Sequence, residues 1–326
     1  MRVAIFGAGA VGLGLGSCVL RSDARVHFLV RTPMAAEPLL RHGLERTGVF
    51  GSARFAPESF EVGSSLERLA RWRPDTVLVC TKATSSDEVA SALAAVWQSF
   101  EVPPFLVLCQ NGWGNAERFA ARLPREQIFN ARVITGFRCR DGWRVEITVH
   151  AEPMRIGSLY GSSPGAITEL CEAIDAGGLP CEPSTAIERD LLAKLLYNCA
   201  LNPLAALRDV PYGAVGDTAS SRAVCEAVVR EIFAVLRAAG LATHWRSPDA
   251  YLEFFHAKLL PATREHESSM LQDLRAGRRT EIDALCGAVV ELAARAGIDA
   301  PVNTALATLI RAVEAGGRRN GPRPPA

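Results

Sequence analysis

Lysine occurs at only three positions in this chain, Lys82, Lys194 and Lys258, although lysine and arginine together number 36. The lysine ammonium differs from the arginine guanidinium because it can release its proton as well as stabilise a negative charge. These ammonium groups are therefore the first candidates for a proton donor. The alternative is a lysine kept by chance on an exposed face, and we adopt that reading for Lys258, which lies in a predicted surface helix.

One of these lysines begins a polar stripe on a long predicted helix. In KLLYNCALNP, Lys194, Asn198 and Asn202 lie at i, i+4 and i+8, so one helix face carries a cation and two amides. Apolar residues flank the stripe, and we expect it to face a cleft. The alternative is a lysine that extends to water and two amides that bond another helix. Pro203 is expected to kink or end the helix at the turn that follows.

Polar side chains also follow two predicted strands. Lys82 follows the strand 76–80, and Asn111 follows the strand 105–109. Because ligands of parallel sheets lie beyond the carboxyl ends of the strands, we expect the two side chains to stand side by side and to hold an anionic or carbonyl-bearing substrate. The alternative is a strand-end turn in which Asn111 and Gly112 only tolerate a left-handed backbone.

A glycine-rich motif lies directly after the first predicted strand and opens a helix. The motif GAGAVG comprises Gly7, Ala8, Gly9, Ala10, Val11 and Gly12. It matches G-x-G-x-x-G, in which the glycines allow a tight turn, a close approach to a pyrophosphate and close helix–strand packing. The helix N-terminus offers unpaired N–H groups to the anion. This context favours a dinucleotide site over a glycine turn without a ligand.

The second predicted strand indicates which dinucleotide binds. An NAD site usually has a carboxylate at the end of this strand, whereas this strand ends in Val30 and Arg31 and has no carboxylate before Glu37. We interpret Arg31 as the residue that binds the 2′-phosphate of NADP. An exposed cation at a strand end is the alternative.

These residues need elements that position them. Short strands rich in valine and leucine alternate with helices up to about residue 183, which is typical of a doubly wound parallel sheet covered by helices on both faces. Three later strands, 132–134, 144–149 and 154–158, are expected to extend the sheet or to form a hairpin around Asp141 and Gly142. The α/β domain 1–183 is therefore predicted to bind NADP(H).

The rest of the chain is predicted to be almost wholly helical. The expected helices are 185–207, 220–239, 248–260, 265–275, 280–296 and 301–315. Ser269 lies on one of these helices, and Glu281 lies at the start of the next, where Thr280 and Asp283 form a loose capping arrangement. The helical domain 184–315 is predicted to bind the substrate, and the tail 316–326 is predicted to be frayed.

The composition excludes several classes of protein. The net charge is +1, which provides no field suited to nucleic acid or to an anionic membrane. The uncharged stretch 3–20 contains five glycines and is interpreted as a strand, a turn and a helix rather than a membrane span. The nine scattered cysteines suit a reducing cytoplasm. The six histidines show no metal-ligand spacing, so no metal site is predicted.

Taken together, these residues resemble those of the ketopantoate reductase (2-dehydropantoate 2-reductase) family over nearly the whole chain. The matching pieces are GAGAVG, Arg31, Thr81–Ala83, Gln110–Gly112, the run from Lys194 to Leu207 and SSMLQDLRAGRRTEID from Ser268 to Asp283. The resemblance implies an N-terminal Rossmann domain, a helical C-terminal domain and the NADPH-dependent reduction of 2-dehydropantoate to pantoate.

The resemblance also implies roles for individual residues. Lys194 would be the proton donor, and Glu281 would be its partner or a ligand for a substrate hydroxyl. Ser269 with Asn111 would hold the substrate carboxylate. The residues implied around the substrate are Lys82, Asn111, Asn198, Asn202 and Ser269. The residues implied around NADP(H) are those of the glycine motif with Arg31, Lys82 and Asn111.

The proton-donor role fits the chemistry independently of the resemblance. Hydride addition to a 2-keto carbonyl creates an alkoxide, which needs a positioned acid. Two other readings stay open at this point. One is a related reductase or dehydrogenase of another small 2-keto or hydroxy acid, and the other is a protein that senses NADP without turnover. A homodimer is also left open, since the sequence does not report the oligomeric state.

Overall fold

The computed structural model describes residues 1–317, and the chain within it forms two compact units. Unit 1 comprises Met1–Gln110 and Asn115–Ile187. Unit 2 comprises Asn111–Gly114 and the chain from Glu188 onward. The chain therefore leaves unit 1 for the four residues 111–114, returns to it, and leaves again at Glu188.

Unit 1 is built around a ten-stranded sheet whose central strands are parallel. The strands are β1 (Arg2–Phe6), β2 (Arg25–Leu29), β3 (Leu44–Gly48), β4 (Ala53–Phe55), β5 (Glu61–Gly63), β6 (Thr76–Val79), β7 (Phe105–Leu108), β8 (Ile128–Arg140), β9 (Arg144–Gly157) and β10 (Cys181–Pro183). Their order is β4-β3-β9-β8-β7-β6-β1-β2-β5, with β10 beside β9. The predicted doubly wound parallel sheet is confirmed in strands β1, β2, β6 and β7.

Helices cover both faces of this sheet. They are α1 (Ala10–Val19), α2 (Pro33–His42), α3 (Leu66–Trp72), α4 (Ser86–Val96), α5 (Asn115–Ala120) and α6 (Thr168–Ala176). Successive residues of β1 point to opposite faces, so Ile5 joins the cluster that contains Leu13 of α1, and Ala4 joins the cluster that contains Leu93 of α4. The uncharged segment 3–20 is thus divided between a buried strand and a buried helix. No helix within residues 1–317 is long and apolar enough to cross a membrane.

The hairpin expected around Asp141 and Gly142 forms, and its strands are much longer than predicted. Strands β8 and β9 pair antiparallel from Arg140↔Arg144 to Asn130↔Gly157. Asp141 and Gly142 both have positive φ, 55° and 76°, within the three residues that connect the paired Arg140 and Arg144. Residues 135–140 and 150–153, which were not predicted as strand, belong to these paired strands. The pairing register shifts at three points, as it does at β-bulges.

Unit 2 is helical around one hydrophobic cluster. Its helices are α7 (Ile187–Arg208), α8 (Tyr212–Gly216), α9 (Ala219–Ala238), α10 (Pro248–Phe254), α11 (Leu260–Ala262), α12 (Ser269–Arg275), α13 (Cys286–Arg295) and α14 (Pro301–Gly317). Helix α7 agrees with the predicted helix 185–207 to within two residues, and of the two outcomes expected at Pro203 the ending of the helix is excluded, because α7 continues to Arg208. Leu201 and Ala205 are fully buried on either side of Pro203, so packing outweighs the lost backbone hydrogen bond.

Other predicted helices of unit 2 differ in their bounds. Helix α12 starts at Ser269 rather than at residue 265, because the Ser268 side chain accepts a hydrogen bond from Leu271 N and caps the helix there. The predicted helix 280–296 is divided into a 3₁₀ turn, Ile282–Ala284, and α13. Residues 255–259 of the predicted helix 248–260 are π-helical. The predicted tail begins too early, since α14 includes Gly316 and Gly317; residues 318–326 lie outside the described part of the chain.

Candidate active site

The glycine motif of unit 1 has the backbone that a dinucleotide site needs. Gly7 has φ of +106°, and a Cβ on Gly12 would lie 1.9 Å from the Gly7 carbonyl oxygen. Helix α1 begins at Ala10, and its N-cap residue, Gly9, makes no side-chain capping bond. A Cβ on Gly9 would meet no atom within 4 Å, so there is open space beside the backbone just before α1 begins. These features fit a bound pyrophosphate.

Arg31 is exposed two residues beyond the end of β2. The neighbouring Thr32 is engaged in structure, because its Oγ1 accepts a hydrogen bond from Ala35 N and caps α2. The first carboxylate after the strand is Glu37, which lies inside α2. The end of β2 therefore presents a guanidinium and no carboxylate.

Lys82 lies half-buried after β6, in a turn tied to the end of β7. The Gln110 side-chain amide donates from Nε2 to the Lys82 carbonyl oxygen at 3.2 Å and to Ser86 Oγ at 3.0 Å. A Cβ on Gly7 would lie 3.1 Å from Thr81 N, so this turn also adjoins the glycine motif. Lys82 belongs to unit 1 and Asn111 to unit 2, and their predicted pairing stays a prediction.

Three of the candidate residues meet in unit 2. The Lys194 ammonium donates from Nζ to Asn111 Oδ1 at 2.7 Å, and Asn111 Nδ2 donates to Glu281 Oε2 at 3.0 Å. An ammonium can only donate hydrogen bonds and an ionised carboxylate can only accept them, so an amide is suited to face both at once. Lys194 and Asn111 are half-buried, and Glu281 is buried at 9% exposure.

The loop that carries Asn111 is fixed by the segment that carries Glu281. Trp113 N donates to the Ala284 carbonyl oxygen at 2.9 Å. Gly112 has φ of +90°, and a Cβ there would lie 2.2 Å from that same oxygen. Sequence reasoning missed this contact, which couples Asn111–Gly114 to the residues after Glu281. The available signal was Gly112, which the sequence analysis considers only as part of a strand-end turn, as the alternative to substrate binding.

The two amides of the α7 stripe have different environments. Asn198 and Asn202 are both buried, at 8% and 5% exposure. The Tyr212 hydroxyl donates to Asn202 Oδ1, so this amide bonds another helix, as the alternative interpretation of the stripe expected. Asp190 lies one helical turn before Lys194. The sequence analysis did not name it as a site residue, although its spacing of four residues places it on the same helix face. It is 1% exposed and lies 2.9 Å from Nε2 of His244.

The remaining candidates are placed as follows. Ser269 is exposed as the first residue of α12, and within residues 1–317 no hydrogen bond joins it to Lys194, Asn111 or Glu281. Lys258 is exposed, as predicted for a surface residue. No group of three or more histidine, cysteine, aspartate and glutamate side chains in the described chain could hold a metal ion.

The capping arrangement predicted around Glu281 does not form as expected. Thr280 Oγ1 accepts a hydrogen bond from Ile282 N at 3.2 Å rather than from residue 283. The Asp283 carboxylate is bound by Arg279 and Arg311 instead. The Asp283 carboxylate is bound by Arg311 of α14, a distant helix that the sequence around residues 280–283 does not indicate.

The chain thus combines a Rossmann-type sheet that carries a glycine motif with a helical unit that carries hydrogen-bonded Lys194, Asn111 and Glu281. Two sequence models identify the family: "Ketopantoate reductase PanE/ApbA" matches residues 3–161 and "Ketopantoate reductase PanE/ApbA C terminal" matches residues 186–314. The chain belongs to the ketopantoate reductase family. It is an oxidoreductase of the class that acts on a keto group.

Individual relatives agree with this assignment. The chain is 31% identical over 315 residues to a 2-dehydropantoate 2-reductase of Aquifex aeolicus, covering 96% of this chain and 97% of the relative. It is similar to the crystal structure of a PanE/ApbA family ketopantoate reductase from Ralstonia eutropha, with a TM-score of 0.82, 28% identity and coverage of 98% and 100%. A ternary structure of D-mandelate dehydrogenase with NADH shares the fold, with a TM-score of 0.86, 20% identity and coverage of 98% and 99%.

Proposed function

We propose that this chain catalyses the NADPH-dependent reduction of 2-dehydropantoate to pantoate, a step of pantothenate biosynthesis, in the cytoplasm. The observation that carries the proposal is the chain of hydrogen bonds from Lys194 through Asn111 to Glu281. These residues come from segments far apart in the sequence, and the residue types are those needed to protonate a developing alkoxide. Membership of the ketopantoate reductase family supports the choice of substrate.

The cofactor is assigned to residues of unit 1. The N–H groups at the start of α1 hold the pyrophosphate, and Arg31 holds the 2′-phosphate that distinguishes NADP(H) from NAD(H). The exposed guanidinium beyond β2, with no carboxylate before Glu37, supports this choice. When bound, the reduced nicotinamide supplies the hydride. Residues 1–183 are thus proposed to form the NADP-binding domain, and residues 184–315 the substrate-binding domain.

The residues of unit 2 manage the charge that the reaction creates. Hydride addition to the keto carbon leaves a negative oxygen, and we assign Lys194 to donate a proton to it. A lysine ammonium has three N–H donors. One of them is used on Asn111, which fixes the direction of the ammonium, and another is assigned to the substrate oxygen. Glu281 orients the Asn111 amide from its other side and is proposed to accept a hydrogen bond from a substrate hydroxyl.

The substrate carboxylate needs donors of its own. We propose that Asn111 and Ser269 hold it, with Lys82 contributing positive charge near the cofactor and the carboxylate. Ser269 is exposed at the start of α12, so its hydroxyl is accessible to a ligand. Asn198 and Asn202 are proposed to line the substrate pocket. The bond from Tyr212 to Asn202 would fix that amide in one orientation.

The direct test of this proposal is a panel of 2-keto acids assayed by NADPH consumption. We expect the highest kcat/KM for 2-dehydropantoate and much lower values for pyruvate and for its unbranched analogues, which lack the hydroxyl assigned to Glu281. NADH in place of NADPH should raise the KM for the nucleotide. Comparable kcat/KM values across the panel would reject 2-dehydropantoate as the substrate, and no NADPH oxidation with any keto acid would favour a sensor.

A further inference from the structure

The segment that carries Glu281 is held by a carboxylate of the last helix. Thr280 is fully buried, so its backbone N–H must find a partner inside the protein. That partner is Glu314 of α14, whose Oε1 accepts the bond at 2.8 Å. Glu314 is itself buried, at 9% exposure. A hydrogen bond from an N–H to an ionised carboxylate is stronger than one between neutral groups.

A second contact from α14 holds the other side of the same segment. Arg311, three residues before Glu314, donates from Nε to Asp283 Oδ1 at 2.8 Å. Arg279 donates to the other oxygen of that carboxylate, also at 2.8 Å. Partial burial raises the pKa of the Asp283 carboxyl, but the bonds and charges of the two arginines outweigh burial and hold the pKa below its usual value. Helix α14 therefore holds residues 280 and 283 by hydrogen bonds, and Glu281 lies between these two residues.

The helix that provides these hydrogen bonds is itself firmly packed. Ile310 is fully buried, and Ala307 and Leu306 are 1% and 5% exposed in the core of unit 2. A side chain anchored to such a helix can fix the backbone it binds. A local loss of that anchor would be felt at Glu281 Oε2, which is 3.0 Å from Asn111 Nδ2.

We infer that Glu314, assisted by Arg311, is a positioning residue for the reduction: it sets the place of the Glu281 carboxylate by holding the Thr280 backbone. The inference rests on the proposed function, in which Glu281 acts on the substrate. Glu314 acts through Glu281 and contributes no group to the reaction itself.

The test compares two substitutions at Glu314. Glu314→Gln keeps an acceptor for Thr280 N–H and is expected to keep kcat/KM for the keto acid close to the wild-type value. Glu314→Leu removes the acceptor and is expected to lower kcat/KM by at least about tenfold, since small misplacements of reacting groups cost this much or more. The Kd for NADPH, measured by fluorescence titration, should be the same in both variants. Equal kcat/KM values for the two folded variants would overturn the inference.

A matched control separates positioning from general stability. Glu231 likewise accepts two backbone N–H bonds at 2.8 Å, from Val302 and Asn303 at the other end of α14. Glu231→Leu should lower Tm while kcat/KM of the folded enzyme stays within about twofold of wild type, because the loss lies away from the Thr280 segment. A loss of kcat/KM in Glu231→Leu as large as in Glu314→Leu would show that both act through stability, and would overturn the inference.

Amide hydrogen exchange tests the bond between Thr280 N–H and Glu314 without an activity measurement. The Thr280 N–H should exchange slowly in the wild type and in Glu314→Gln, and at least about tenfold faster in Glu314→Leu. Unchanged exchange in Glu314→Leu would overturn the inference even if the wild type reduced no keto acid. Failure of the proposed function alone would instead leave the exchange difference in place and abolish keto-acid turnover in every variant. Arg311→Met should lower kcat/KM less than Glu314→Leu does, because the Arg311 side chain is half exposed.

Discussion

At the scale of single residues, the site depends on one neutral amide between opposite charges. Asn111 accepts from Lys194 and donates to Glu281, so the direction of the amide is fixed by what each neighbour can offer. An aspartate at this position would repel Glu281, and a leucine would leave both charges without this partner. The choice of asparagine after β7 is therefore explained by its neighbours in unit 2 better than by the turn that follows it.

Arg31 gives a prediction at the same scale. Removal of a charged hydrogen-bond donor from a phosphate should raise the KM for NADPH by at least about tenfold in Arg31→Ala, because such bonds contribute about 1.5–3 kcal/mol. The KM for NADH should change little, since NADH lacks the 2′-phosphate. Arg41→Ala is the matched control, because Arg41 is also exposed and lies in the last turn of α2. Steady-state KM values that rise equally for both nucleotides would remove the assignment.

At the scale of elements, the loop Asn111–Gly114 and the turn Ile282–Ala284 act as one piece. Gly112 lets the loop approach Ala284 so closely that its Trp113 N–H reaches the Ala284 carbonyl oxygen. The loop begins three residues after the last residue of β7 but belongs to unit 2 by its contacts. The placement of Asn111 is therefore a property of this contact between elements.

A pair of glycine substitutions tests that contact. Gly112 and Gly114 both have positive φ, 90° and 87°, so alanine should be strained by about 1–3 kcal/mol at either position. Only at Gly112 would the new Cβ also collide with the Ala284 oxygen, at 2.2 Å, whereas at Gly114 it would meet no atom within 4 Å. We expect Gly112→Ala to lower the free energy of unfolding more than Gly114→Ala does, and to lower kcat/KM as well. Chemical denaturation and keto-acid kinetics would show the difference, and equal effects would contradict it.

Much of the fold was predictable because its elements carry local signals. Short, continuous apolar runs predict β1, β6 and β7, and the GAGAVG glycines predict the turn into α1. What the sequence could not show depends on distant partners. For example, Arg311 of α14 binds the Asp283 carboxylate that was expected to cap the helix with Thr280, and nothing near residue 283 in the sequence indicates that contact.

The candidate site follows the same division between local and distant information. Lys194 was found from residue type and helical spacing, and Glu281 only from the resemblance to the family. Neither approach could show that Asn111 joins the two, because this bond crosses 170 residues to Glu281 and 83 residues to Lys194.

At the scale of the whole molecule, each unit buries its own core, and two histidines of unit 1 have environments that shift their pKa values. His27 of β2 is 6% exposed, and neither ring nitrogen has a hydrogen-bond partner within the described chain. Burial lowers the pKa of His27, while Glu61 acts in the opposite direction. Burial also lowers the pKa of His150, opposed by Glu152. The folded state therefore holds both imidazoles neutral to lower pH than the unfolded chain does.

This difference predicts how the stability depends on pH. Below about pH 6.5 the unfolded chain binds more protons than the folded chain at these histidines, so unfolding becomes easier as the pH falls toward the folded-state pKa values. Above about pH 6.5 the two histidines are neutral in both states, and their contribution to the stability of the fold is fully present. Chemical denaturation at pH 7.5 and pH 5.5 should show a smaller loss of stability in His27→Leu than in the wild type. His42→Gln, at an exposed position, is the control and should lose as much stability as the wild type. A loss of stability in His27→Leu as large as that of the wild type would contradict the prediction.

The central claim is that Lys194 donates the proton in the reduction of the keto acid, and the most direct test is the kcat of Lys194→Arg with NADPH and 2-dehydropantoate. Arginine keeps the positive charge but does not release a proton in proteins. We predict that kcat falls by at least about two orders of magnitude, the lower end of what a positioned acid contributes, while the Kd for NADPH is unchanged. A Lys194→Arg enzyme that turns over at a near-normal rate would contradict the account.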